Sequence, residues 1–146
     1  MIRLATQQDV RQFVARAEQG EFEHDPITPT NYLHMFDFLT IGISKMNGVV
    51  FVYIDGEEVK GIIGGFLSPY IFNFDILHAH EAIRMCKKGE GIAKKLIEAF
   101  ETWASWKGAT QVVVTEYYSY TEKRLDSWMK RIGYEAVQQT YFKEVK

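Results

Sequence analysis

Residues 88–93, with the sequence KGEGIA, constrain the fold most, because they join a predicted strand at residues 75–85 to a predicted amphipathic helix. Glycine leaves room for backbone N–H groups to approach an anion, and the first turn of a helix has unpaired amides with partial positive charge. The neighbouring charged residues are mostly basic: Arg84, Lys87, Lys88, Lys94 and Lys95, with the acid Glu90. This segment, the anion cradle, therefore predicts a focal site for a polyanion.

Three other interpretations of this glycine-rich segment have to be considered. A Walker-type phosphate loop is excluded, because no lysine-serine or lysine-threonine pair follows the glycines. The full dinucleotide-binding fingerprint, with its downstream acid, is incomplete here. An ordinary glycine-containing start of a helix beside a solvated basic face stays open as an alternative.

Length and composition fit one soluble globular domain over residues 1–146. The chain is 47% hydrophobic and 25% charged, with a net charge of -2 that argues against broad, nonspecific binding to nucleic acid. Cys86 is the only cysteine, so no internal disulfide forms, as expected in a reducing compartment. Because no signal peptide or membrane-spanning stretch is visible, we predict a cytoplasmic protein with no membrane partner.

The first third of the chain predicts a short strand at residues 2–5 and two helices. Thr6 caps the first helix, with Asp9 three residues later as an acidic form of the capping box, and Gly20 ends it. Its apolar stripe is Val10, Phe13, Val14 and Ala17. The second helix is predicted to restart at Pro29. Its less regular stripe is Leu33, Phe36, Leu39 or Thr40, and Ile43.

Two apolar runs, at residues 49–54 and 59–67, are separated by a turn and predict an antiparallel hairpin. Glycines inside the second run predict a bulge or the close approach of another backbone. They are Gly61, Gly64 and Gly65. Residues 68–74 are then predicted to form a loop.

The second half predicts a fourth strand, the helix that follows the cradle, and a fifth strand at residues 111–115. Thr121 is expected to cap a last helix that ends at Gly133, and residues 134–145 are predicted to be strand. That helix's inward residues are predicted to be Leu125, Trp128, Met129 and Ile132. The predicted fold class is mixed α+β, with a mostly antiparallel sheet of six or seven strands flanked by four helices.

The pattern Lys88-x-x-Gly91-x-Ala93 resembles the Arg/Gln-x-x-Gly-x-Gly/Ala signature of the GNAT superfamily of N-acetyltransferases. The order β-α-α-β-β-β-α-β-α-β is that of the GNAT fold, and residues 131–134, RIGY, resemble the segment that closes its last helix. The resemblance spans nearly the whole chain. It implies a GNAT-type acyltransferase that moves an acetyl group from acetyl-CoA to an amine by direct attack.

The resemblance also implies where acetyl-CoA binds. Its pantetheine arm is expected along the end of the fourth strand, at Ile83, Arg84 and Met85. The pyrophosphate is expected on the backbone amides of the cradle, at Lys88, Gly89, Glu90, Gly91, Ile92 and Ala93. Lys87, Lys94 or Lys95 would meet the 3′-phosphate, or are simply solvated surface lysines.

The resemblance assigns the general acid and the general base of the reaction less directly than the cofactor site. Many members place a tyrosine, the general acid, four residues before the closing glycine, but this position is Met129 here. Just past strand five, Tyr117, Tyr118 and Tyr120 are the nearest candidates for the acid, and Tyr118 and Tyr120 are favoured among them. Aromatic packing is the alternative for each, and the thiolate would then leave without a general acid. Glu81 is the candidate base, because the family often uses a carboxylate on strand four or five, and Asp75 and Glu116 are the alternatives.

Other reactive side chains have simpler interpretations. His78 and His80 share one face of a strand and would relay a proton or act as structural histidines. We predict no metal site, because no third ligand is spaced suitably. Cys86 beside the cradle is expected to be a small buried hydrophobe rather than a covalent nucleophile.

The loop between the first two helices lines the acceptor cleft in this family. Here residues 18–26 contain four acids around Phe22, which would suit a cationic amine, such as a polyamine, an aminoglycoside-like compound or a lysine side chain. A solvated acidic loop is the alternative. A small-molecule or peptide amine is therefore the expected partner, and the final strand would allow a homodimer. Two further functions stay open: a noncatalytic acyl-CoA-binding module, and a protein of the same fold that acts on nucleic acid.

Overall fold

The computed structural model of the chain describes residues 1–22, 29–89, 91–115, 122–138, 140–141 and 143–145, with backbone alone at 122–126. In these ranges the elements follow the predicted order from the first strand to the last helix. They are β1 (Ile2–Leu4), α1 (Gln7–Glu18), α2 (Tyr32–Ser44), β2 (Gly48–Asp55), β3 (Glu58–Tyr70), β4 (Asn73–Cys86), α3 (Ile92–Trp106), β5 (Gln111–Val113) and α4 (Glu122–Arg131). The predicted α+β class is confirmed.

The strands form one sheet in the order β1-β2-β3-β4-β5. Neighbours are antiparallel except β4 and β5, which are parallel, so the prediction of a mostly antiparallel sheet is also confirmed. The predicted six or seven strands were too many for the described ranges, which contain five. The difference lies at the end of the chain, where a strand was predicted at residues 134–145 and none of the described residues in this range is in a strand.

Helix α1 begins as the capping box predicted. The Thr6 side chain accepts a hydrogen bond from the Asp9 backbone N–H at 3.2 Å, and the Asp9 carboxylate accepts one from the Thr6 N–H at 2.7 Å. The predicted apolar stripe is buried in full, as Val10, Phe13, Val14 and Ala17. These side chains form a core together with residues of α2 and of one face of β2, β3 and β4.

Helix α2 begins later than predicted. Its first turn is capped by Asn31, whose side chain accepts a hydrogen bond from the His34 N–H at 3.1 Å, so Pro29 lies outside the helix. Of the predicted stripe, Leu39 is fully buried, whereas Leu33 is 68% exposed and Ile43 is 36% exposed. The prediction is confirmed at Leu39 and at Phe36, which packs against the core, but is wrong at Leu33 and Ile43, because this helix is apolar on several sides and its periodicity is weak.

The predicted loop at residues 68–74 is instead the continuation of a long hairpin. β3 extends to Tyr70 and β4 starts at Asn73, so only Ile71 and Phe72 lie in the turn. The prediction failed because this turn contains no glycine to mark it.

The other face of the sheet packs on α3, and Gly65 sets their separation. A Cβ built on Gly65 would lie 2.6 Å from the Phe100 ring and 2.2 Å from the His80 carbonyl oxygen. No side chain fits in that space. The predicted close approach within this run is therefore confirmed, and it brings α3 and its N-terminus against β3 and β4.

Contacts divide the chain into two compact units, Met1–Thr115 and Glu116–Lys146. The second unit holds α4, after which Gly133 adopts a left-handed conformation with a φ of 97°. The single domain predicted over residues 1–146 stays a prediction. None of the helices in the described ranges has the length and apolar character needed to cross a membrane.

Candidate active site

A β-bulge interrupts β4 in the middle of the sheet. On strand β3 the neighbours Gly64 and Gly65 pair with Ile83 and Glu81, so Ala82 is an extra residue opposite them. The parallel pairing with β5 ends just before this point, at His80 and Val113. The bulge therefore marks the position where the two strands separate.

Beyond the bulge, one edge of β4 is open within the described part of the chain. Residues 83–86 still pair with β3 on one side, through Gly64 to Gly61, but no described strand pairs with them on the other. An extended strand with a free edge offers backbone N–H and C=O groups to a further extended partner. The predicted residues Ile83, Arg84 and Met85 lie on this edge.

The anion cradle follows directly on this edge. Gly91 is the N-cap of α3, in a left-handed conformation with a φ of 65°, and no described side chain caps the helix. The first intrahelical bond runs from the Lys95 N–H to the Gly91 carbonyl at 3.2 Å, which leaves the preceding amides of Ile92 and Ala93 without helical partners. A Cβ built on Gly89 or Gly91 would meet nothing within 4 Å, so the surface in front of these amides is open.

Glu81, the predicted base, is buried beside the bulge. Its side chain is 3% exposed, and its Oε2 atom lies 3.5 Å from the Arg84 Nε atom. Burial raises the pKa of Glu81 to about 6, although the Arg84 charge and a hydrogen bond from the Thr115 backbone N–H both act to lower it. A carboxyl group with this pKa accepts a proton near neutral pH.

The predicted cationic surroundings of the cradle need correction. The Arg84 side chain is only 8% exposed because it pairs with Glu81, so this residue offers its backbone to the open edge. Lys87 binds Glu58 at 2.5 Å, Lys94 lies 3.7 Å from Glu98, and Lys95 lies over the Tyr53 ring. Most of the basic side chains that the sequence places here are therefore engaged by acids or a ring.

The two histidines of β4 lie on one face, as predicted, with ring centroids 5.5 Å apart. This is the face opposite α3, because His80 stacks on Phe66 whereas Glu81 pairs with Gly65. Burial, and then the neighbouring His78, lower the pKa of His80. Within the described residues no three His, Cys, Asp or Glu side chains are grouped to hold a metal ion.

Cys86 is partly buried on the α3 face, and burial raises the pKa of its thiol. A raised pKa lowers the thiolate fraction near neutral pH, which disfavours the thiol as a nucleophile.

The acidic loop is less free than its sequence indicated. Phe22 is a core residue, 2% exposed and stacked on Phe13 at 4.9 Å, rather than part of a cleft. Glu21 lies 3.3 Å from Arg16 and 3.9 Å from Lys87. Glu18 is exposed at the end of α1. The other two acids of the loop, Glu23 and Asp25, lie outside the described residues, as do Tyr118, Tyr120 and Glu90.

Two parts of this site have no clear signal in the sequence alone. Ala82 is the bulge residue, and only the glycine pair opposite it, Gly64-Gly65, pointed to an irregularity. The Thr115 amide binds Glu81, but a backbone donor leaves no trace in residue type.

No family model matches the chain, and no curated protein matches it either. Solved structures do match over almost the whole length. A transcriptional regulator from Bacillus halodurans has a TM-score of 0.74 at 18% identity, covering 99% of each chain. A GNAT family acetyltransferase from Staphylococcus aureus has a TM-score of 0.68 at 13% identity, covering 99% of this chain and 98% of its own.

The aminoglycoside N-acetyltransferase AAC(6′)-Iy in complex with CoA has a TM-score of 0.71 at 14% identity, covering 100% of this chain and 99% of its own. Identities this low show a common fold and leave the activity to be argued from the site. The chain therefore has the fold of the GNAT superfamily of N-acetyltransferases, as the sequence resemblance implied.

Proposed function

We propose that the protein is an acetyl-CoA-dependent N-acetyltransferase that acts on a primary amine. The observation that carries this proposal is the edge of β4 beyond the bulge, which no described strand covers and which runs directly into an α3 N-terminus that no described side chain caps. One surface thus offers extended backbone for an amide-containing chain and helix amides for phosphate. An acyl-CoA has both groups in this order.

The residues present fit this ligand. The backbone of Ile83, Arg84 and Met85 would pair with the pantetheine amides. The amides of Ile92 and Ala93 would hold the pyrophosphate, which approaches closely because Gly89 and Gly91 have no Cβ. When bound, acetyl-CoA supplies the thioester-linked acetyl group that is transferred to the amine.

Glu81 is proposed to accept the proton of the attacking amine. An alkyl ammonium with a pKa of about 10.4 costs about 4–5 kcal/mol to deprotonate at pH 7. With its pKa of about 6, Glu81 is mainly ionised at pH 7 and can receive that proton. Because the side chain is 3% exposed, we propose that the proton reaches it through a relay rather than by direct contact.

Positioning is expected to contribute more than proton transfer. Holding an amine in attack geometry contributes about 7–11 kcal/mol, whereas one acid or base gives about 10²–10⁴-fold in rate. Tyr118 and Tyr120 remain the proposed candidates for the general acid, since α4 has Met129 at the usual tyrosine position.

The acceptor is proposed to be a small-molecule or peptide amine. The similarity to an aminoglycoside N-acetyltransferase supports an amine of small-molecule size. A strongly cationic acceptor has less support than the sequence indicated, because Glu21 is already near Arg16 and Lys87. The nucleic-acid alternative loses support for the same reason, since its basic run is largely paired.

Calorimetry with acetyl-CoA, combined with a thiol-release assay over a panel of amines, tests the proposal. We expect binding of acetyl-CoA and thiol release that depends on the added amine. Binding without release for any amine would favour the noncatalytic acyl-CoA-binding module. Absence of binding, together with salt-sensitive binding of DNA or RNA, would favour the nucleic-acid alternative.

A further inference from the structure

The β3–β4 hairpin extends beyond the rest of the sheet as a two-stranded arm, residues 68–77. The pairing of β2 with β3 ends at Phe66, and the pairing of β5 with β4 starts at His78. Between these points the two strands of the arm pair with each other alone among the described strands. A ribbon of two strands is marginally stable in water, so the arm gains from a surface that covers it.

The tip of the arm is apolar and exposed. Ile71 is 71% exposed, Phe72 is 80% exposed and Phe74 is 79% exposed. The turn does not require these residues, because hairpin turns usually have polar residues or glycine. Soluble monomers rarely expose such a cluster, which indicates a surface for another molecule.

A row of rings in contact, two pairs stacked and two edge-on or tilted, connects the tip to a groove at the base of the arm. The row is Phe72, Tyr70, His78, His80 and Phe66, with centroids 5.6, 5.2, 5.5 and 5.4 Å apart in turn. Phe66 also lines the groove, which has a volume of about 260 Å³ and lies between α2 and strands β2 and β3. Phe38 and Ile41 line its other side and are 52% and 51% exposed.

We propose that a second copy of this chain covers this face, with the arm tip of each copy against the groove of the other. Charge favours this occupant, because the arm and the groove carry opposite charges. Asp75 is the only charged residue between 68 and 77, and Lys45 is the only charged residue among the described residues that line the groove. A lipid surface is disfavoured, because the arm has no lysine or arginine for anionic headgroups.

The exposed area is also sufficient for a dimer. Aromatic side chains have about 150–250 Å² of surface each, so Tyr70, Ile71, Phe72 and Phe74 expose on the order of 500 Å² at one tip. Two tips give about 1,000 Å², the lower bound for a specific interface, before the grooves are counted.

Sedimentation of the full chain, without ligand, tests the dimer. We expect the wild type to be a dimer at micromolar concentration, and Phe72→Asp and Ile41→Asp each to weaken self-association at least about ten-fold. The circular dichroism spectrum should stay unchanged, because both side chains are at least half exposed and their replacement leaves the fold intact. Trp106→Asp is the matched control: Trp106 is 80% exposed but lies at the end of α3, so this variant should remain a dimer.

Mixing the two monomeric variants tests the pairing of arm with groove. A mixed dimer of Phe72→Asp with Ile41→Asp keeps one intact arm against one intact groove, so it should form more readily than either variant alone. A monomeric wild type, or dimeric Phe72→Asp protein, would overturn the proposal. So would a mixture that associates no better than its components.

Discussion

As the proposed base, Glu81 should give catalysis a characteristic pH dependence. Its pKa is raised to about 6, so the ionised base is present above this pH and lost below it. We expect Glu81→Gln to lower kcat/KM about 10²–10⁴-fold at pH 8, and less at pH 5, where the wild-type base is already protonated. The ratio of wild type to variant across pH 5–9 measures this, because titration of the amine affects both proteins equally.

Glu58→Gln serves as the control for that profile. Glu58 is an acid outside the proposed site, and hydrogen bonds from Lys87 and then Arg16 lower its pKa to about 2. Its removal should leave the ratio flat over the same range. A Glu81→Gln enzyme whose ratio does not change with pH would show that another group, such as His80, accepts the proton.

Glu58 should instead affect acid stability. Because its pKa falls from 4.5 to about 2 on folding, its contribution to stability is fully present above pH 4.5 and is lost as the pH falls towards 2. We expect the melting temperature of Glu58→Gln to lie below that of the wild type at pH 6, with the difference closing near pH 2. A difference in melting temperature that stays the same down to pH 2 would contradict this origin.

At the scale of the elements, Gly65 is predicted to be the most sensitive position of the sheet. The Cβ of Gly65→Ala would overlap both the His80 carbonyl and the Phe100 ring, so α3 and the bulged strand would have to move apart. We expect the free energy of unfolding to fall by about 3 kcal/mol or more, measured in urea.

Gly64→Ala is the matched control on the next residue. Its Cβ would meet the Ile83 Cγ2 atom at 3.2 Å, a side chain that can shift, so we expect a loss of about 1 kcal/mol or less. Equal losses for the two variants would contradict the close approach at Gly65.

Alanine substitutions at the two ends of α3 distinguish an effect on acetyl-CoA binding from an effect on stability. Gly91 and Gly108 have φ angles of 65° and 89°, and a Cβ on either meets nothing within 4 Å. Alanine at each should therefore cost a similar amount, about 1–2 kcal/mol, through backbone strain. Only Gly91→Ala alters the amides of the cradle, so we expect it alone to weaken acetyl-CoA binding, about ten-fold, by calorimetry. Weaker binding by both variants would assign the effect to the helix as a whole.

Elements with strong local signals were predicted well from the sequence. Helix α1 has a capping box and a regular stripe, and α3 has a glycine at each end, so both appear where expected. α2 and the arm were misjudged, because an evenly apolar helix has no periodicity and the turn at Ile71 has no glycine. The bulge at Ala82 depends on contacts between strands, which residue order does not encode locally.

At the scale of the whole molecule, backbone features of the site were easier to predict than side-chain partners. The order of strand, glycines and helix predicted the cradle, and the family resemblance implied that an extended chain pairs with the end of β4. The sequence did not reveal that Arg84 pairs with Glu81 or that Lys87 pairs with Glu58, because these partners meet only after the sheet has formed. The sequence therefore overestimated the positive charge available at the cradle. It also did not predict that Glu81, the proposed base, has Arg84 as a buried partner.

A crystal structure of the protein with CoA would show directly whether the cofactor binds at this site. We predict that the pyrophosphate lies on the backbone amides of Ile92 and Ala93, and that the pantetheine chain pairs with β4 from Ala82 to Met85. The thiol should end near the bulge, where β4 and β5 separate. CoA bound elsewhere, or a β4 edge filled by the chain's own residues while CoA stays free, would contradict it.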